Sequence, residues 1–201
     1  MPIIGLTGGV GSGKSTIARI LESKGAVVVD ADAIGRQMLQ PGRKALQEVR
    51  SRFGDQVIAA DGSLNRAALA QIVFSDPVAR SELEAITHPE ILAEIARRID
   101  EIDPSKIVII EAPLLYEARE RVEKALRLDG LIVVASRPED QIDRLVRGRG
   151  MSPEDVQARI SAQAPLEEKV GVADYVIDNY GTLEDLEAEV DILWNQMRAR
   201  F

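Results

Sequence analysis

Four glycines fall within six residues near the start of the chain, where residues 8–15 read Gly-Gly-Val-Gly-Ser-Gly-Lys-Ser. The segment fits the spacing G-x-x-x-x-G-K-[ST], with Gly8, Gly13, Lys14 and Ser15 at the fixed positions. Backbone N–H groups wrap a chain of phosphates only where the loop curls tightly and carries no side chains, hence Gly8, Gly9, Gly11 and Gly13. Lys14 supplies a compact positive charge to the β- and γ-phosphates, and Ser15 supplies a hydroxyl for Mg²⁺. The flanks agree. Residues 2–7 (PIIGLT) form an apolar run suited to a buried strand. Residues 15–24 carry Ile17, Ile20 and Leu21 at the spacing of a helix face. A strand, a glycine loop and a helix N-terminus in that order place an anion against the positive end of the helix dipole.

Composition narrows the function classes. A chain of 201 residues with 45% hydrophobic and 29% charged residues has enough apolar side chains for one α/β domain with insertions. A net charge of −8 argues against a dedicated nucleic-acid binder, since phosphate backbones select basic surfaces. The absence of cysteine removes disulfides, thiol catalysis and cysteine metal sites. Neither a secretion leader nor a membrane span is expected, because no basic segment precedes the first apolar run and no apolar run is long enough. The expectation is a cytoplasmic enzyme with small-molecule partners, no nucleic acid or membrane partner, and no obligate protein partner.

Further strands are predicted at 26–30 (AVVVD), 106–111 (KIVIIE), 130–135 (GLIVVA) and 175–178 (YVID). Each is a continuous β-branched run, the pattern of strands covered on both faces of a parallel sheet. Helical stretches separate them, which gives repeated β-α-β units and a doubly wound sheet. Ligands in such sheets lie beyond the carboxyl ends of the strands, where Asp30, Asp32, Glu111 and Asp178 fall. Residues 31–105 form one long crossover with helical patterns at 33–39, 43–53, 66–74 and 77–102 and a turn at Asp61-Gly62. This predicts a nucleotide-binding core at about 1–40, 104–143 and 170–201, with an inserted helical lobe at about 41–103. The polar segment at about 144–169 contains Gly148, Gly150 and a helix start at Ser152-Pro153-Glu154-Asp155, and is predicted to be a mobile lid. Residues 182–200 predict an amphipathic helix with Leu183, Leu186, Val190, Leu193, Trp194 and Met197 on one side.

Several side chains are read two ways. Asp30 and Asp32 alternate on an extended chain, so one faces a site as the base for an acceptor hydroxyl, or both open the following helix. Glu111 stands near Mg²⁺ or is an exposed strand-end acid. Arg144, Arg147 and Arg149 neutralise a transferring phosphoryl group or form a solvated helix face. His88, the one histidine, reads alone as structural. A nucleotide-dependent switch is a poor reading: Asp32-Ala33-Ile34-Gly35 fits D-x-x-G, but no N-K-x-D follows anywhere.

Taken together the motifs resemble one family. They are LTGGVGSGKST at 6–16, VVDADAIGRQ at 28–37, RAAL…IVF at 66–74, His-Pro at 88–89, APLLYE at 112–117, RISAQ at 159–163 and ADYVIDNYG at 173–181. The chain is similar to the dephospho-CoA kinases. The resemblance implies a P-loop kinase of the nucleoside-monophosphate-kinase type, with a five-stranded parallel sheet, helices on both faces, a helical substrate lobe and a lid. It implies Mg²⁺-dependent transfer from ATP to the ribose 3′-hydroxyl of dephospho-CoA. Another small hydroxyl acceptor, a nucleoside or a sugar, is the alternative. It further implies Asp32 as catalytic base beside Lys14 and Arg144. ATP then lies on Gly9, Gly11, Ser12, Gly13, Lys14, Ser15 and Thr16, with Arg147 and Asn179. The acceptor lies near Asp32, His88, Pro113, Leu114, Leu115 and Glu117, and the metal on Ser15 with Asp32 or Glu111 through water. One departure is visible: Gly148 stands where the family's lid carries a second arginine, which leaves Arg147 or Arg149 to substitute.

Overall fold

The β-branched runs become one sheet. A computed structural model describes residues 1–201, with every side chain except that of Arg149. The chain forms two compact units, one of Met1–Asp30 with Glu101–Phe201 and one of Ala31–Asp100.

The first unit holds β1 (Ile3–Gly8), β2 (Val27–Asp30), β3 (Val108–Glu111), β4 (Gly130–Ala135) and β5 (Tyr175–Asp178). Every pairing is parallel and the order is β2-β3-β1-β4-β5. With β1 central, Ile4 and Leu6 lose all contact with water. The register sets the carboxyl ends side by side: Asp30 opposite Glu111, Leu6 opposite Glu111, Gly8 opposite Val134 and Ala135 opposite Asp178. One face of the sheet packs on α1 (Lys14–Ser23) through Ile17 and Leu21, and on α10 (Leu183–Arg200) through Leu186, Val190, Leu193 and Met197. Trp194 adds a partly buried indole to this core. On the other face Gly5 leaves room for Leu115, Leu128 and Leu131, whose methyls would stand about 3 Å from any added Cβ.

α10 begins with a reciprocal cap, since Thr182 Oγ1 accepts from Asp185 N (3.2 Å) and Asp185 Oδ2 accepts from Thr182 N (2.8 Å). Leu183, expected on the buried side, is exposed because it is the first residue of the helix and extends past the sheet-facing stripe. The remaining helices of this unit are α6 (Arg119–Leu126), α7 (Pro138–Arg149), α8 (Pro153–Ser161) and α9 (Leu166–Val170).

The second unit is helical: α2 (Ala31–Met38), α3 (Lys44–Phe53), α4 (Arg66–Ser75) and α5 (Pro77–Asp100). Val49, Phe53, Val57, Leu69 and Ala79 form its core. Its only pairing of the β type among the described residues is a bridge between Ile58 and Leu64, closed by the turn at Asp61-Gly62. α4 and α5 are parted at Asp76, extended because Pro77 follows, and Asp76 Oδ1 then caps α5 through Val78 N (2.8 Å). Gly35 has no side chain because Ile91 of α5 packs there, 3.2 Å from an added Cβ, which accounts for the D-x-x-G match without a nucleotide. On α5, Arg97 and Arg98 both donate to Glu94 and hold its carboxyl at about 2, far below the usual carboxylate range.

Candidate active site

The glycine loop leaves β1 at Gly8 and enters α1 at Lys14. Gly11 (φ 75°) and Gly13 (φ 99°) adopt left-handed backbone that other residues resist. A Cβ at Gly11 would also stand 2.9 Å from the carbonyl oxygen of Gln141. Gly13 ends the loop as the N-cap of α1 without a side-chain cap, and the first turn of α1 contains no acidic residue. The helix therefore presents its positive end without a carboxylate of its own to neutralise it.

Lys14 is buried, and its ammonium donates to the carbonyls of Gly8 (3.0 Å) and Gly9 (2.8 Å), which fixes the charge against the loop. The Ser15 hydroxyl donates to Glu111 Oε1 at 2.7 Å. Since Glu111 lies opposite Asp30 in the register, a hydroxyl and two strand-end carboxylates share this edge of the sheet. The set is all oxygen, which suits a hard cation. No group of three His, Cys, Asp or Glu that would form a protein cage exists among the described residues. A hydroxyl and one or two carboxylates are the kind of set Mg²⁺ uses when phosphates and waters complete its shell.

Three more side chains grip the loop from outside. Arg144 Nη1 donates to Gly11 O (3.3 Å). Asn179 Nδ2 donates to Ser12 O (2.7 Å) from just past β5. Gln163 Oε1 accepts from Val10 N (2.9 Å). Gln141, itself buried, donates to the carbonyl and hydroxyl of Ser136 and fills the space that a side chain at Gly9 would need. A cavity of about 640 Å³ borders the loop here, lined by Gly9, Arg137, Gln141, Gln163, Lys169 and Tyr180 among others.

The 113–117 segment leaves β3. The Pro113 carbonyl accepts from Gln163 Nε2 (3.2 Å) and Thr7 Oγ1 (3.4 Å). Leu115 is buried and Leu114 exposed. Glu117 Oε1 accepts from Ala164 N (2.9 Å) and lies 3.0 Å from the buried ammonium of Lys169.

In this unit, then, Gly9 to Thr16, Glu111, Pro113, Arg144 and Asn179 come together at the carboxyl edge of the sheet. Arg147 is mostly exposed and pairs with Asp143 one turn back (2.7 Å). Gly148 lies inside α7 rather than at a hinge, and the helix stops two residues later at Gly150 (φ 64°). The Arg149 side chain lies outside the described residues. Asp32 and His88 belong to the helical unit. Asp32 is exposed in the first turn of α2, and His88 is partly buried immediately before Pro89 inside α5. Sequence reasoning assigned no role to Gln141 or Gln163. No local pattern marks Gln141, while Gln163 ends the RISAQ tract.

The sequence pattern of the family described as dephospho-CoA kinase matches residues 2–185. A dephospho-CoA kinase from Leifsonia xyli is 45% identical over 201 residues, covering 98% of this chain and 100% of that one. A crystal structure of a Thermus thermophilus protein superposes with a TM-score of 0.83 at 38% identity, covering 97% of each chain. The structure of a dephospho-CoA kinase from Campylobacter jejuni does so with a TM-score of 0.70 at 26% identity, covering 99% of this chain and 98% of that one.

Proposed function

This chain belongs to the dephospho-CoA kinase family, and we propose that the phosphoryl group it moves from ATP to dephospho-CoA goes to the ribose 3′-hydroxyl by in-line transfer. The observation that carries the reading is the glycine loop at the end of β1, with Lys14 fixed on its carbonyls and the Ser15 hydroxyl on Glu111. Lys14 and the amides at the start of α1 hold the β- and γ-phosphates. Arg144, already against Gly11, adds positive charge where the transferring group sits. Asp32 accepts the hydrogen bond of the acceptor hydroxyl and then its proton. A bond forms from that oxygen to the γ-phosphorus, the bond to the β,γ-bridging oxygen breaks, and ADP leaves with its electron pair. Ser15 and, through water, Glu111 or Asp32 are the residues that would hold Mg²⁺, whose chemistry when bound is to neutralise charge on the phosphates.

We further assign Asn179 to the ATP side, and His88 and the 113–117 segment to the acceptor side in a helical lobe and lid arrangement. Among the described residues no helix is long and apolar enough to cross a membrane. The cytoplasm is the compartment this reading implies. A different small hydroxyl acceptor and a nucleotide-dependent switch are both disfavoured by the family assignment. The test is incubation of the protein with ATP, Mg²⁺ and dephospho-CoA, with mass detection of the product. One added phosphate on a product that co-elutes with authentic CoA supports the reading, and an unmodified acceptor sinks it.

A further inference from the structure

The apex of the glycine loop is Val10, flanked by Gly9 and Gly11, which have no side chains to steady it. Its position is set by what its backbone meets, and the Val10 N–H meets the carboxamide oxygen of Gln163 (2.9 Å). The nitrogen of the same carboxamide donates to the carbonyl of Pro113 (3.2 Å), where β3 gives way to the 113–117 segment. The reversed orientation would set an NH₂ against an N–H and a carbonyl against a carbonyl, so only one assignment satisfies both neighbours. Ala164 N, the next residue, donates to Glu117 Oε1 (2.9 Å). Two consecutive residues between α8 and α9 therefore hold both ends of the 113–117 segment, and the first of them also holds the loop.

No other side chain of this length carries one acceptor and one donor group on a rigid plane. Asparagine is a methylene too short, ionised glutamate has no donor, and methionine has neither strong group. We propose that Gln163 is a positioning residue for phosphoryl transfer, setting the phosphate loop and the Pro113–Glu117 segment in one shared geometry. The proposal rests on the reading that the loop holds ATP and that the segment faces the acceptor. Gln163 touches no reacting atom in this account. It fixes the distance between two parts that do.

The experiment compares the parent enzyme with Gln163→Met and Gln163→Glu, measuring kcat, both KM values, ATP affinity by calorimetry and the unfolding midpoint. For Gln163→Met, of similar length but without the two hydrogen bonds, kcat falls about ten- to a hundredfold, as small misplacements of reacting groups do, while ATP affinity changes by less than about threefold. For Gln163→Glu, an ionised carboxylate faces the Pro113 carbonyl, and protonation restores the missing donor. Its kcat/KM relative to the parent therefore rises as pH is lowered from about 7 to about 4.5, toward the range in which a glutamate takes up a proton.

A role confined to packing would lower the unfolding midpoint and leave kcat and the pH ratio unmoved, which overturns the proposal. So does a Gln163→Met enzyme with kcat within about twofold of the parent. If Gln163→Met fails to fold, the pH ratio of Gln163→Glu decides, and a flat ratio overturns the proposal. A parent protein that makes no CoA refutes the functional reading itself, whereas an active parent with unaffected variants refutes only the role of Gln163.

Discussion

Lys14 and Asp32 divide the labour of the proposed reaction, and their local settings differ accordingly. Lys14 is buried and tied to two carbonyls, so its charge is a fixed part of the loop. Asp32 is exposed in the first turn of α2. A carboxylate at an exposed position is what the proposed proton removal from a ribose hydroxyl requires. Asp32→Asn is expected to lower kcat by about 10²- to 10⁴-fold, the usual worth of a positioned base, with little change in ATP affinity. Steady-state kinetics alongside calorimetry measure both, and near-normal turnover would remove Asp32 from the mechanism. Arg144 and Asn179 show what motif reading leaves out. Resemblance assigned Arg144 to catalysis and Asn179 to ATP, and both also donate to carbonyls of the loop itself, at Gly11 and Ser12. The RISAQ tract marks Gln163, but its contacts were not legible, because its two partners lie 153 and 50 residues away and no periodicity records such a bridge.

At the scale of elements, the five strands were readable because each is a short apolar run, although the edge strand β5 is covered on one face only, with Ile177 buried and Val176 exposed. Their ends were less so. β3 was expected from Lys106, but Lys106 N turns back to Asp103 O (3.0 Å) and pairing starts at Val108. Of the two glycines in the expected lid, Gly148 lies within α7 and Gly150 takes the left-handed turn that ends it. The α7–α9 region remains the segment whose side chains, Arg144 and Gln163, reach the loop. Its amides between residues 144 and 165 are expected to exchange more slowly once ATP and dephospho-CoA are both bound, as closure would require. Unchanged protection would count against a lid there.

α5 offers a separate test. Its Glu94 has a folded pKa of about 2, lowered from 4.5 by Arg97 and then Arg98. The stability this carboxylate confers is complete above the unfolded value and is lost as pH falls through the folded one. Glu94→Gln should therefore lower the denaturant midpoint at neutral pH, with the gap to the parent closing between about pH 4.5 and pH 2. A gap that stays constant across that window would show that the arginines do not stabilise the ionised form.

For the whole molecule, the division into two units matters because the phosphate loop lies entirely in the one that contains the sheet. A ligand that binds only the folded form stabilises it by mass action, by about 2.7 kcal/mol at a hundredfold excess over its dissociation constant. ATP should raise the unfolding midpoint of the parent by this route, and Lys14→Ala should abolish most of the rise. An equal rise in both proteins would place ATP away from the loop. The acidic balance of the chain, −8 overall, is no obstacle, because the anion meets local donors rather than the net field.

The lone tryptophan has a practical corollary. Trp194 lies against the sheet core, and the chain's three tyrosines, Tyr116, Tyr175 and Tyr180, belong to the same unit, while Ala31–Asp100 contains neither residue type. Intrinsic fluorescence therefore reports on the sheet-bearing half and is silent about the helical one. Circular dichroism sees the helices of both, so a loss of ellipticity with indole emission unchanged marks helix melting away from the Trp194 core, detected without a label.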